Sequence, residues 1–114
     1  MHAIIWHNPK CSKSRQALEL LHVNGIDVEV VKYLESNPPK EEITDLLSKL
    51  QISAKELMRT KEELYKELEL KDEMDEEKLI DAMVKYPKLI ERPIVITEKG
   101  VVIGRPPEKI LELL

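Results

Sequence analysis

Within the first 33 residues an apolar run, a helical run and a second apolar run follow one another, and this order limits the fold more than any other feature. Ala3-Ile4-Ile5-Trp6 reads as a short buried strand. Ala17, Leu18, Leu20 and Leu21 then recur at helical spacing, and Asn24-Gly25 has the composition of a helix C-terminal cap. From Ile26 to Tyr33 the β-branched Val28, Val30 and Val31 support a second strand. Strand, helix and strand over so short a span form a βαβ unit, which joins two parallel strands by a right-handed crossover.

The turn between the first strand and the helix, His7-Asn8-Pro9-Lys10-Cys11-Ser12-Lys13-Ser14-Arg15, holds the only cysteine. Cys11 therefore falls at a helix N-terminus, with Ser12 or Ser14 able to cap it. Unpaired backbone N–H groups and the positive end of the helix dipole meet there and stabilise an anion. Lys10, Lys13 and Arg15 add positive charge. A cysteine in these surroundings has its pKa pulled well below that of a free thiol and reads as a thiolate beside an oxyanion site. Most single cysteines are small buried apolar residues, but Lys and Arg on both sides of this one place the segment near solvent. His7, four residues earlier, is a second candidate: imidazolium would stabilise the thiolate, and neutral imidazole could take its proton. A metal is rejected, because zinc needs three or four ligands and His2 and His22 fit no ligand pattern.

The whole chain sets outer bounds. At 114 residues it is expected to form one domain, 1–114, with a core that needs no staple. One cysteine forbids an internal disulfide and fits a reducing compartment. No apolar run nears the roughly 18 residues that span a bilayer, and no signal peptide is evident. The balance of 18 basic and 22 acidic residues, formally −4, argues against nucleic acid as a partner. The expected setting is cytoplasmic, away from membranes. Without phenylalanine, the core must come from Leu, Ile and Val with Trp6, Met and Tyr.

Beyond Tyr33 the pattern turns helical. Ser36-Asn37-Pro38-Pro39 reads as a turn, with Pro39 in the first turn of a helix. Ile43, Leu46, Leu47 and Leu50 then line one face of a helix from Glu41 to Leu50. Ser53 and Glu56 form a capping box for a short helix running towards Arg59. Lys61 to Leu70 and Asp75 to Tyr86 also read as helices, and the acid-rich stretch from Glu62 to Glu77 as a solvated surface. Residues 38 to 90 thus form a helical insertion without a strand. Pro93 to Thr97 and Val101 to Gly104 are strands joined by a three-residue loop, Glu98-Lys99-Gly100, and Glu108 to Leu114 is a last amphipathic helix. The order βαβ, helices, ββα predicts an α/β fold with a four-stranded mixed sheet and flanking helices.

Arg92 precedes the third strand and Arg105 follows the fourth, so antiparallel pairing makes them neighbours at one end of the hairpin. Arg59 closes a helix of the insertion. Converging arginines clamp tetrahedral oxyanions through planar, bidentate contacts, although any one taken alone reads as a surface residue. Arg92-Pro93 invites a cis bond, which on its own about one X–Pro bond in twenty adopts.

These residues resemble the glutaredoxin-coupled arsenate reductases, thioredoxin-fold proteins enlarged by a helical insertion. The resemblance runs through His7 to Arg15, Glu56-Leu57-Met58-Arg59-Thr60-Lys61-Glu62, Tyr65-Lys66-Glu67-Leu68, Pro87 to Val95 and Ile103-Gly104-Arg105-Pro106-Pro107-Glu108. It spans nearly the whole chain in order. The Lys-Cys-Ser-Lys-Ser-Arg turn and the short C-terminus are similar to those of a shorter subgroup. The resemblance implies that Cys11 attacks arsenate, that His7 favours the thiolate, and that Arg59, Arg92 and Arg105 hold the oxyanion. Asn8, Ser12 and Ser14 would support the turn, with Ser14 bonding to the sulfur, and Pro93 would be the cis proline beside the cysteine. It also implies glutathione as co-substrate, glutaredoxin as partner, and no tightly bound cofactor. One cysteine suits that route, since the second thiol must come from outside.

Two rivals share the fold. Spx-type regulators sense oxidants through Cys-x-x-Cys, and here the fourth position is Ser14. A monothiol glutaredoxin-like enzyme would keep Cys11 and the cis proline but would not need Arg59.

Overall fold

The computed structural model describes residues 1–114. The chain divides into two compact units: Met1–Ser36 with Arg92–Leu114, and Asn37–Glu91. The second unit contains the span, about 38–90, that the sequence reads as a helical insertion.

The first unit is built on a four-stranded sheet in the order β2-β1-β3-β4. Strand β1 (His2–Trp6) pairs in parallel with β2 (Asp27–Val31), with Ile4 opposite Glu29. On its other side β1 pairs antiparallel with β3 (Ile94–Thr97), Ile5 opposite Val95, and β3 pairs with β4 (Gly100–Ile103). Helix α1 (Ser12–Val23) is the crossover from β1 to β2. Ala17 and Leu21 of α1 join Ala3, Ile5, Val95, Ile110 and Leu113 in one buried cluster. Burying each large aliphatic side chain stabilises the unit by about 1.5–3 kcal/mol. Helix α1 ends as Asn24-Gly25 suggests. Gly25 N–H bonds to His22 O and Ile26 N–H to Leu21 O, with Gly25 at φ +71°, which is a Schellman motif.

Four expectations change in this unit. Strand β2 stops at Val31, because Tyr33 opens helix α2 (Tyr33–Ser36) and buries its ring stacked on Trp6, centroids 6.2 Å apart. The hairpin loop has two residues rather than three, since Gly100 already pairs with Thr97. The C-terminal helix is a 3₁₀ helix, Pro107–Leu113. Its buried residues Pro107, Ile110 and Leu113 are spaced by three, and a repeat of three per turn sets them all on one face. Helix α1 is capped by neither serine: Cys11 itself is the N-cap residue, with extended backbone.

The second unit holds α3 (Lys40–Leu50), α4 (Ala54–Leu57), α5 (Glu63–Glu67) and α6 (Glu76–Lys85). Pro39 is the N-cap of α3 rather than part of its first turn. The capping box at Ser53 and Glu56 is present. The helix expected over Lys61 to Leu70 is shorter. Leu68 closes it, and Glu69 at φ +54° turns the chain into a 3₁₀ turn, Leu70–Asp72, that buries Leu70. Helix α4 ends at Leu57, so Arg59 does not close a helix. Met58 runs extended and forms a β-bridge with Ile90, flanked by Arg59 N–H to Leu89 O and Glu91 N–H to Leu57 O, both 2.8 Å. That bridge is the extended pairing that the sequence pattern did not reveal. No helix is long and apolar enough to cross a membrane.

Candidate active site

Cys11 sits where β1 has ended and α1 begins. The turn is set by its own backbone: Cys11 N–H donates to Asn8 O at 3.0 Å, and Lys10 N–H to the Asn8 side-chain Oδ1 at 3.0 Å. Arg15 reaches back from the first turn of α1 and donates to Pro9 O at 2.8 Å, strapping the loop to the helix. Ser12 is exposed at the first helical position.

Ser14 is fully buried and ties the turn to the end of β1. Its hydroxyl accepts the Asn8 N–H at 3.0 Å and shares a 2.6 Å hydrogen bond with His7 Nδ1. His7 is 6 % exposed, and its own N–H continues the ladder to Val31 O. Burial lowers the imidazole pKa from its ordinary value, and the charges of Lys32 and Arg15 lower it further. His7 is therefore neutral near pH 7. Of the two forms the sequence leaves open, the imidazolium is the one these surroundings oppose. The resemblance implies a Ser14 bond to the sulfur; in the structure the hydroxyl serves His7 and Asn8, and Ser14 favours the thiolate through its backbone N–H.

The hairpin supplies the cations. Arg105 Nη2 lies 3.7 Å from Cys11 Sγ, and Arg105 Nε donates to Arg92 O at 2.8 Å. So the two arginines share one end of the hairpin, and that end faces the thiol. The Arg92-Pro93 peptide is cis, and so is Arg105-Pro106, which no sequence feature had marked. Burial pushes the Cys11 thiol up. The N–H of Ser14, the charge of Arg92, the N–H of Lys13 and the charge of Arg105 together outweigh it, so the pKa falls below the ordinary thiol value. The result is a part-exposed sulfur, biased towards thiolate, in cationic surroundings.

Arg59 belongs to the second unit. Its guanidinium meets Glu62 at 3.3 Å and the Lys88 carbonyl at 3.5 Å, and Glu62 also approaches Lys88 Nζ at 3.7 Å. The sequence marks Arg15 only as a charge beside Cys11 and does not mark Lys32 as part of the site. Arg15's hold on Pro9 O and the pressure of both cations on His7 depend on how β2 and α1 fold around the turn, which no local pattern announces.

A mixed β2-β1-β3-β4 sheet with its one cysteine at the head of the first helix, faced by an arginine from the closing hairpin, defines a thioredoxin-like fold centred on a single thiol. The ArsC family profile matches residues 6–113, and the chain belongs to the ArsC family. Among curated relatives, the uncharacterized protein YfgD of Escherichia coli K12 is 55% identical over 112 residues, covering 96% of this chain and 94% of that one. An arsenate reductase of Neisseria meningitidis serogroup A is 47% identical over 112 residues, covering 96% of both. Among solved structures, an arsenate reductase from Vibrio cholerae superposes with a TM-score of 0.96 at 50% identity, covering 100% of this chain and 98% of that one.

Proposed function

We propose that this protein is an arsenate reductase that works through a covalent Cys11 intermediate and draws its electrons from glutathione and glutaredoxin. The observation that carries the reading is the Cys11 sulfur at a helix N-terminus with Arg105 Nη2 at 3.7 Å. Membership of the ArsC family and relatives named arsenate reductase support the substrate. In this scheme the thiolate forms an S–As bond and displaces a hydroxyl from arsenate, which takes up a proton from solvent and leaves as water. Arg92 and Arg105 offset the negative charge that gathers on the arsenate oxygens. A glutathione thiolate then attacks Cys11 Sγ: an S–S bond forms, the S–As bond breaks, and its electron pair stays on arsenic, which departs as arsenite. Glutaredoxin reduces the mixed disulfide and frees Cys11. With one cysteine in the chain, that external thiol is required. Dependence on glutathione fits a reducing, cytoplasmic setting. Arg59 enters the scheme through the family resemblance alone and is tested separately.

The test is arsenate-dependent NADPH oxidation coupled through glutathione, glutathione reductase and glutaredoxin. Wild-type protein is expected to turn over, and Cys11→Ser to lose activity entirely. Equal rates in both would remove the nucleophile and the proposal with it.

A further inference from the structure

The guanidinium that faces the thiol is held at the end of the hairpin by one backbone bond across the strands, one tight turn at the end of β4 and one side-chain bond back to the residue before Pro93. Gly104 N–H donates to Pro93 O at 2.8 Å, Arg105 N–H to Ile103 O at 2.9 Å, and Arg105 Nε to Arg92 O at 2.8 Å. These bonds bring residue 104 directly against Pro93, which is itself fully buried. A Cβ on residue 104 would stand 3.0 Å from Pro93 Cγ, with Ile110 Cδ1 and Cγ1 both at 3.6 Å. Pro93 is fully buried, so its Cγ can give way only by ring pucker within a packed site, and Ile110 belongs to the close-packed cluster under the sheet. A side chain at 104 therefore requires Pro93 to give by a few tenths of an ångström, through its ring or through the parting of the two strand ends. The residues on either side of that contact are Arg92 and Arg105.

We propose that Gly104 is a positioning residue: its missing Cβ lets the end of β4 close onto Pro93, and this closure delivers the Arg105 guanidinium to the Cys11 sulfur. The inference deepens the proposed function at the same site, but it concerns ionisation of the thiol and is measurable without arsenate. Small displacement suffices to matter, since Arg105 Nη2 already stands at 3.7 Å, the far end of contact with sulfur.

The test follows thiolate absorbance of Cys11 against pH and its alkylation rate at neutral pH. The chain has one cysteine, so both signals report a single group. Gly104→Ala is expected to move the titration upward and slow alkylation by about threefold, in a protein that still melts cooperatively. In an Arg105→Ala background the same change is expected to add nothing, because Gly104 acts through Arg105. Ile110→Val alone, a packing change in the same cluster, is expected to lower the melting temperature and leave the titration in place. Combined with Ile110→Val, which removes the Cδ1 that the added methyl would meet at 3.6 Å, Gly104→Ala is expected to fold and to show a smaller titration shift. An unmoved titration in folded Gly104→Ala overturns the proposal. So does an undiminished shift in either combined variant, or an Ile110→Val shift as large as that of Gly104→Ala. Lack of arsenate turnover in the wild type would refute the reductase reading and leave this inference standing.

Discussion

Ser14→Ala isolates the contribution of one buried hydroxyl. In the native turn that oxygen accepts the Asn8 N–H at 3.0 Å and bonds His7 Nδ1 at 2.6 Å, and Ser14 has no exposed surface. Alanine fits the same space, so neither cavity nor clash enters. What remains is two polar groups without their partner: a buried ring nitrogen, and a part-buried N–H. Leaving a buried group unsatisfied costs about 1–3 kcal/mol. Because the N–H is less buried, the sum is about 2–4 kcal/mol. For a chain of this size that lowers the melting temperature by roughly 8–16 °C. The assay is urea unfolding followed by circular dichroism, with a double-mutant cycle against His7→Leu. Removing both partners leaves only the Asn8 N–H unsatisfied, so the double variant should cost less than the sum of the singles by about 1 kcal/mol or more. A Ser14→Ala cost below about 0.5 kcal/mol, or strict additivity in the cycle, would refute the view that this hydroxyl anchors the turn.

Further outcomes can be measured alongside. The His7 pKa is lowered on folding, chiefly by burial, so between its folded value and about 6.5 the unfolded chain binds a proton that the folded one does not. Its contribution to stability is thus complete above about pH 6.5 and declines as pH falls towards the folded value; His7→Gln should flatten that acid-side slope in denaturant titrations at stepped pH. Gly25→Ala is expected to cost about 1 kcal/mol, read as a shift in urea midpoint. Its Cβ would meet nothing within 4 Å, so the penalty comes only from the φ of +71°. Arg59→Ala is expected to reduce arsenate turnover sharply while leaving the Cys11 titration in place; turnover that survives intact would favour glutathione–disulfide chemistry instead.

Local order carried much of this protein. An apolar run in residues 3 to 6, a helical period after Cys11 and the Asn24-Gly25 cap are each local in the chain, so strand, helix and crossover follow from them without any knowledge of the rest. The same holds for the amphipathic insertion, the closing hairpin and the position of the thiol at a helix N-terminus. Where the reading slipped, a distant partner decided. Tyr33 leaves β2 to stack on Trp6, and Met58 turns extended because Ile90, 32 residues on, pairs with it.

The site divides along the same line. That Cys11 is poised to ionise was legible, since the leading amides of α1, the Lys13 and Ser14 N–H groups among them, lie beside it in the chain. Which arginine meets the sulfur was not. Arg105 is 94 residues away and arrives only because β3 pairs antiparallel with β1 and β4 with β3, which turns the end of the hairpin onto the head of α1. The Ser14 hydroxyl bonds to His7 for a similar reason: burial of the ring, which no residue pattern states, makes that pairing the one that leaves least unsatisfied. Short-range periodicity is encoded residue by residue, whereas the meeting of charges is settled by register across the sheet.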